Sequence, residues 1–314
     1  MTMKELTTKF MPKVSIEAIN THKNTEDKKM VYTSFDGDYM HFMQDMLGVC
    51  LFNNYIPLNP EAALGYYVST KTHGGKKIPV MQDCMNVELL CDEMWVFENE
   101  DEYIPEGVLA EILLWGNVKN SKIRMIPFFE ETRAKYEIYK KNLCEMNTYL
   151  LSEKKQKEII DKKNKLDVEE ITNKLLYTCA KNLENAYIIA NFKNYKHIDW
   201  GREYCYQNNY CPISPQNILP YFTYRNLFFD YQNQYLNDRL TILDKVDTVV
   251  WFTNTRNIEW ELKNIDAFSA TELYYAKSLG KKIEMVDWSE AGVPKYQRIN
   301  NWAITTTERK EVEG

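Results

Sequence analysis

The chain repeats itself, and this repeat constrains the fold more than any other feature. Residues 155 apart match without a gap from the first apolar strand to a pair of aspartates: Tyr32 with Tyr187, Asp83 with Asp238, Asp92 with Asp247. The clearest stretch sets Asn53-Asn54-Tyr55-Ile56-Pro57-Leu58-Asn59-Pro60 against Asn208-Asn209-Tyr210-Cys211-Pro212-Ile213-Ser214-Pro215. Each copy then reaches an apolar strand (Trp95-Val96-Phe97, Val249-Val250-Trp251-Phe252) and a later helix carrying one glutamate, Glu111 or Glu272. The second glutamate comes six residues late, so one loop is longer there. A period of this kind defines the folding unit before any single element is assigned. Polar residues kept in both copies become candidates for shared chemistry.

Within the first copy, about 29–130, apolar stretches predict strands at Met30–Ser34, Tyr55–Leu58, Glu93–Phe97 and Lys122–Pro127. Helices fall near 39–53, 81–91 and 106–115. The second copy, about 183–288, repeats this with strands at Ala186–Ala190, Tyr210–Ile213, Thr248–Phe252 and Lys282–Val286, and helices near 199–208, 234–245 and 267–279. Strands alternating with helices imply parallel sheets covered on both faces, joined by right-handed crossovers. The expected fold is therefore α/β, with two tandem doubly wound (Rossmann/flavodoxin-like) domains. Residues 1–28 read as a polar, irregular extension that packs loosely. The segment 131–182 mixes both charge signs around Lys154–Lys163 without proline or glycine, and reads as a charged helical connector with one apolar stripe. A partner-binding coiled coil is its alternative. Residues 289–314 read as a tail.

Composition excludes several classes. An apolar fraction of 44% and a charged fraction of 27% are those of an ordinary globular chain. A net charge of -6 argues against a nucleic-acid binder. No apolar run approaches the ~18 residues of a membrane span, and no signal-peptide pattern follows Met1, so a soluble cytoplasmic protein is expected. Seven scattered cysteines without a C-x-x-C pair suit a reducing compartment, and four histidines at unrelated positions argue against a zinc site. No metal or cofactor is expected.

In parallel α/β sheets ligands sit beyond the carboxyl ends of the strands. Tyr32 and Tyr187 fall near the end of the first strand, and Asp92 and Asp247 just before the third. Asp83 and Asp238 are expected at the start of a helix. Glu111 and Glu272 lie early in the helix after that strand, where the helix dipole favours a carboxylate. A tyrosine, aspartates and a glutamate on one crevice suit displacement at a glycosidic carbon: the glutamate attacks, an acid protonates the leaving group, and the phenol orients the nucleophile.

The run Glu88-Leu89-Leu90-Cys91-Asp92-Glu93-Met94-Trp95-Val96-Phe97, followed by Glu106-Gly107-Val108-Leu109-Ala110-Glu111-Ile112, resembles the nucleoside 2-deoxyribosyltransferase-like superfamily, in particular a bacterial and phage branch of it. The shared pattern is an aspartate before a W-V-F-type strand, then a glycine four residues ahead of the nucleophilic glutamate. The first-strand tyrosine and the proline-rich turns Pro57–Pro60 and Pro212–Pro215 recur as well. The resemblance covers about 100 residues of each copy. It implies Glu111 as the nucleophile of a covalent glycosyl-enzyme and Tyr32 as the residue that positions it. Asp92, with Asp83, would contact base or sugar. The second copy keeps Tyr187, Asp238, Asp247 and Glu272 but carries Phe268 in place of Gly107, so the first copy is the expected catalytic one. The implied ligand is a nucleoside, a nucleotide or a related ribosyl compound. Relatives complete each pocket with a neighbouring subunit, so an internal pseudo-dimer is expected, with further homo-oligomerisation left open.

Structural alternatives stand beside each of these assignments. A strand-end aspartate also serves as a turn or helix cap. Glu111 and Glu272 also fit dipole-favoured helix positions, and Tyr32 and Tyr187 fit core tyrosines. The aromatic cluster from Tyr221 to Tyr231 fits base stacking or packing. Thr72-His73-Gly74-Gly75-Lys76-Lys77 fits a phosphate loop or a surface loop. A non-catalytic nucleotide-binding protein is the alternative function.

Overall fold

A computed structural model describes residues 8–25, 28–65, 77–98, 104–119, 121–128, 143–146, 148–162, 170, 173, 183–191, 197–253 and 258–287. Helices α1 to α6 are Ile16–Asn24, Met43–Phe52, Pro60–Leu64, Lys77–Leu89, Glu106–Val118 and Glu153–Lys162. Helices α7 to α12 are Ile198–Gln207, Pro215–Ile218, Tyr221–Leu227, Tyr231–Asp244, Ile258–Asn264 and Ala267–Ser278. Strands β1 to β5 are Met30–Ser34, Ile56–Leu58, Glu93–Glu98, Ile123–Pro127 and Tyr149–Leu150. Strands β6 to β9 are Glu184–Ala190, Tyr210–Ile213, Thr248–Thr253 and Lys282–Asp287.

These strands form two mostly parallel sheets, β2-β1-β3-β4-β5 and β7-β6-β8-β9. The chain is α/β, compatible with a Rossmann-like fold. β1 (Met-Val-Tyr-Thr-Ser) is buried along its whole length, as a central parallel strand covered on both faces must be. Tyr32 pairs in register with Leu58 on one side and Met94 on the other. Tyr187 sits in the same way between Ile213 and Val249.

Alternation along the strands sorts the core into three layers. Met30, Tyr32, Met94 and Val96 face the same apolar cluster as Tyr187, Ile189, Val249 and Trp251. That cluster is one continuous core between the two sheets. Val31, Trp95 and Phe97 turn to a second cluster, and Ala186, Ile188, Val250 and Phe252 to a third.

The repeated Asn-Asn-Tyr is explained by backbone geometry. Asn54 (φ 65°) and Asn209 (φ 59°) both adopt the left-handed conformation that ends the preceding helix, where asparagine is the best substitute for glycine. Asn54 N–H donates to the Leu51 carbonyl at 3.0 Å, and Tyr55 N–H to that of Cys50 at 3.0 Å. The chain therefore turns from α2 directly into β2.

Two segments differ from expectation. The N-terminal extension is not loose. Phe10 is buried, and Ser15 caps α1 by accepting from Ala18 N–H at 3.2 Å. Lys13 donates to the carbonyls of Lys263 and Ile265, both at 2.7 Å, and Ser15 N–H to Thr271 Oγ1 at 3.0 Å. His22, itself buried, meets Asn237 and Asp244, each at 2.8 Å. The extension thus straps the first half of the chain onto the second, and its polar groups conceal this because they bond to distant parts of the chain instead of water. We expect Lys13→Met to lower stability by about 1 kcal/mol, read from urea unfolding, because two carbonyls at the end of α11 lose a charged donor.

In the connector, α6 is helical as expected. Its Gln156 donates to the Ile112 carbonyl at 3.0 Å, passing over Gly116, where a Cβ would lie 2.4 Å from Gln156 Nε2. β5 adds an unforeseen antiparallel edge to the first sheet. Most of the rest of the connector, the Thr72–Lys76 part of the glycine-lysine loop and the tail from 288 onward lie outside the described residues. The aromatic segment divides: Tyr224 is buried in the shared core, whereas Phe222 and Phe229 are exposed.

Candidate active site

Glu111, in the second turn of α5, points into the layer between the sheets at the carboxyl end of β1. Tyr32 Oη donates to its Oε1 at 2.7 Å, and Ser34 Oγ bonds its Oε2. Each carboxylate oxygen therefore has its own hydroxyl. The arrangement follows from strand periodicity, because Tyr32 and Ser34 are two apart and share one face of β1. Among the described residues, a Cβ built at Gly107, one turn earlier on α5, meets nothing within 4 Å.

Burial pushes the Glu111 carboxyl up to about 7, while the Ser34 and Tyr32 hydroxyls hold it back from rising further. A second carboxyl, Glu61 on α3, is also pushed up to about 7, by burial and then by the negative charge of Glu111. α3 begins at the end of β2 and is tied to β1: its capping residue Asn59 donates to the Thr33 carbonyl at 3.2 Å and accepts from Ala62 N–H at 2.9 Å. Burial and then the Glu111 charge also raise the Cys84 thiol and the Glu88 carboxyl, both on α4.

The second sheet's half holds α3 in place. Arg202 on α7 donates from Nε to the Ala63 carbonyl at 3.1 Å and from Nη2 to that of Ala62, and its charge is met by Asp199 at 2.6 Å. Tyr206 Oη donates to the Leu64 carbonyl at 3.0 Å. These are the last carbonyls of a five-residue helix, which have no partners within it. Gly65 (φ 67°) lets Arg202 in, since a Cβ there would lie 2.6 Å from Nη1.

The equivalent place around Glu272 is built from different residues. Tyr187 Oη again bonds the carboxylate. The other contacts come from Arg239, which stands where Cys84 does in the repeat and grips both oxygens, Nε to Oε1 at 2.6 Å and Nη2 to Oε2 at 2.7 Å. Burial works against the Arg239 charge, and the Glu272 carboxylate more than offsets it, so its pKa is raised. The guanidinium lies over the rings of Tyr235 and Phe268, 5.2 and 5.9 Å from their centroids. Phe268, in place of Gly107, thus fills this site. Glu272 is 0% exposed, whereas Glu111 keeps 7%.

The other predicted site residues are not gathered here. Asp92 lies at the amino end of β3, where it is exposed and accepts from Met30 N–H at 2.8 Å. That edge of the sheet is opposite the carboxyl end where Glu111 sits. Asp247 is likewise exposed before β8, with its carbonyl accepting from Lys282 N–H at 3.2 Å. Asp83 and Asp238 are in mid-helix, not at helix starts, because α4 and α10 begin earlier than their periodicity indicates. Asp83 is fully buried, and its carbonyl accepts from the Cys211 thiol at 3.7 Å. Asp238 is held by Lys28 at 3.0 Å, Tyr224 at 2.6 Å and Gln234 at 2.8 Å, and burial raises its pKa. Ser34, Glu61, Cys84 and Arg239 were missed. The available signal lay in breaks of the repeat: Ser34 against Ile189, Glu61 against Gln216, Cys84 against Arg239.

Two carboxyls that resist ionisation make stability depend on pH. Their folded pKa of about 7 lies above the ordinary 4.5, so their contribution is full below pH 4.5 and lost as pH rises through 7. We expect the unfolding free energy from urea titrations to fall between pH 5 and pH 8, by about 2–3 kcal/mol for Glu111 alone, and Glu111→Gln to flatten the profile.

Among the described residues no group of three or more His, Cys, Asp or Glu is placed to hold a metal ion, and no helix is long and apolar enough to cross a membrane. The chain matches no protein-family model, no curated protein and no solved structure to which it was compared.

Proposed function

We propose that the chain cleaves or transfers the N-glycosidic bond of a nucleoside, nucleotide or related ribosyl compound, with Glu111 as nucleophile. The observation that carries this reading is the buried carboxylate of Glu111, with one hydroxyl on each oxygen, one helical turn after the exposed Gly107. Such a group is held in one rotamer and kept from water. It loses little by forming an ester to an anomeric carbon, and the Tyr32 and Ser34 hydroxyls stabilise it again as it departs. On this reading the chain is two tandem copies of one α/β unit, packed through their shared core as an internal pseudo-dimer. The second copy acts as scaffold: Arg239 neutralises Glu272, and Arg202 and Tyr206 brace the first copy's α3.

The occupied second site favours one alternative, a nucleotide-binding protein without turnover, in which the first site has likewise lost its chemistry. Incubation with a panel of nucleosides, deoxynucleosides, their monophosphates and NAD, followed by chromatography of free base, separates the two. Release that disappears in Glu111→Gln supports the enzyme. Thermal stabilisation by a nucleotide without release supports the binder.

A further inference from the structure

We propose that Glu61 is the general acid and base that works opposite Glu111, carrying the one proton that the pair holds when Glu111 is ionised. This rests on the glycosidic reading above.

The geometry assigns the two roles. Glu111 has a hydroxyl on each oxygen, so its anion is solvated by the protein. Glu61 has no such support: among the described residues its buried Oε2 has no hydrogen-bond partner, a costly place for a charged oxygen. The link from Asn59 to the Thr33 carbonyl holds Glu61 beside the stretch of β1 that carries Tyr32 and Ser34. Among the described residues the titratable groups beside the pair include Tyr32 from β1 and Cys84 and Glu88 from α4, and burial favours the neutral form of all three. None of them offers a cation that would pull the proton off Glu61. Two carboxyls that repel each other and differ in hydrogen bonding divide into one acid and one nucleophile. Glu88 has a buried unpartnered oxygen too, but it is 1% exposed on the inner face of α4, whereas Glu61 retains partial exposure.

In the first step a Glu111 oxygen forms a bond to C1′ as the C1′–N bond breaks. The bonding pair leaves with the base nitrogen, which takes the proton from Glu61. In the second step Glu61, now a carboxylate, removes a proton from water or from an incoming base. The freed pair bonds C1′, and the ester C–O pair returns to Glu111. The second copy has Gln216 at the equivalent place, its side-chain amide donating to the Ala190 carbonyl at 3.3 Å. An amide therefore fits this turn, and it cannot donate and recover a proton as an acid does.

The test compares Glu61→Gln, Glu88→Gln and wild type on guanosine and 2′-deoxyguanosine and on their 7-methylated forms, whose base departs without needing a proton. Measured as first-turnover release with enzyme in excess, which precedes the second step, Glu61→Gln should slow release from the unmethylated nucleosides by about 100-fold and from the methylated ones by less than about 5-fold. Glu88→Gln should leave both within about 5-fold of wild type. Infrared absorbance of protonated carboxyl groups should fall through neutral pH in wild type, and the part of that fall that belongs to Glu61 should be absent once Glu61 is replaced. Equal losses on both substrate types, or no loss on either, overturn the role of Glu61 while leaving the nucleophile in place. No release by wild type, whatever the infrared result, overturns both.

Discussion

Replacing Glu111 with glutamine should lower base release by about a thousandfold or more, with the protein still folded. The expected size follows from the role: an amide cannot form the glycosyl ester, and removing a nucleophile leaves only binding and orientation. Folding should survive because glutamine has the same shape and can accept from Tyr32 through its oxygen. It also removes a carboxylate whose burial is unfavourable above pH 7. Activity per folded molecule is therefore the quantity to compare. Mass spectrometry adds an independent reading. With a slow substrate, wild type should accumulate a sugar adduct on the peptide spanning α5, and Glu111→Gln should not. Turnover that persists in the variant would remove Glu111 from the chemistry.

The residues shared by the two copies and those that differ carry different information. Strand positions and the parallel α/β character were legible because apolar runs alternating with helical stretches leave local signals. Tyr32 and Glu111 were legible as a pair because both survive in the second copy. Asp92 survives as well, yet it serves an amino-terminal strand edge by accepting from Met30 N–H, so retention alone does not separate chemistry from architecture. Glu61 could not be found from likeness, since its counterpart is Gln216 and only the fold brings α3 to Glu111. The N-terminal strap was illegible for a related reason: Lys13, Ser15 and His22 spend their polarity on residues more than 200 positions away. No local pattern records such distant bonds.

The largest expected loss of stability lies in the second copy, at Arg239. Methionine there should destabilise the protein by about 3–5 kcal/mol, because Glu272 is left fully buried with Tyr187 as its remaining hydrogen-bond donor among those described. Methionine keeps most of the apolar contact that the arginine stem makes near Tyr235 and Phe268, so the loss comes mainly from the missing charge. The double variant Arg239→Met, Glu272→Gln should recover most of that loss, since neither a charge nor its partner then remains. Urea unfolding of the two single variants and the double gives the coupling directly. The same proteins decide what the second copy does. If Arg239 makes Glu272 a structural carboxylate, the folded double variant keeps the base release of wild type. If the variant loses it as Glu111→Gln does, Glu272 takes part in the reaction and the two copies share the chemistry. The bidentate grip of Arg239 on Glu272 favours the first outcome, because the guanidinium neutralises the carboxylate and the group is 0% exposed.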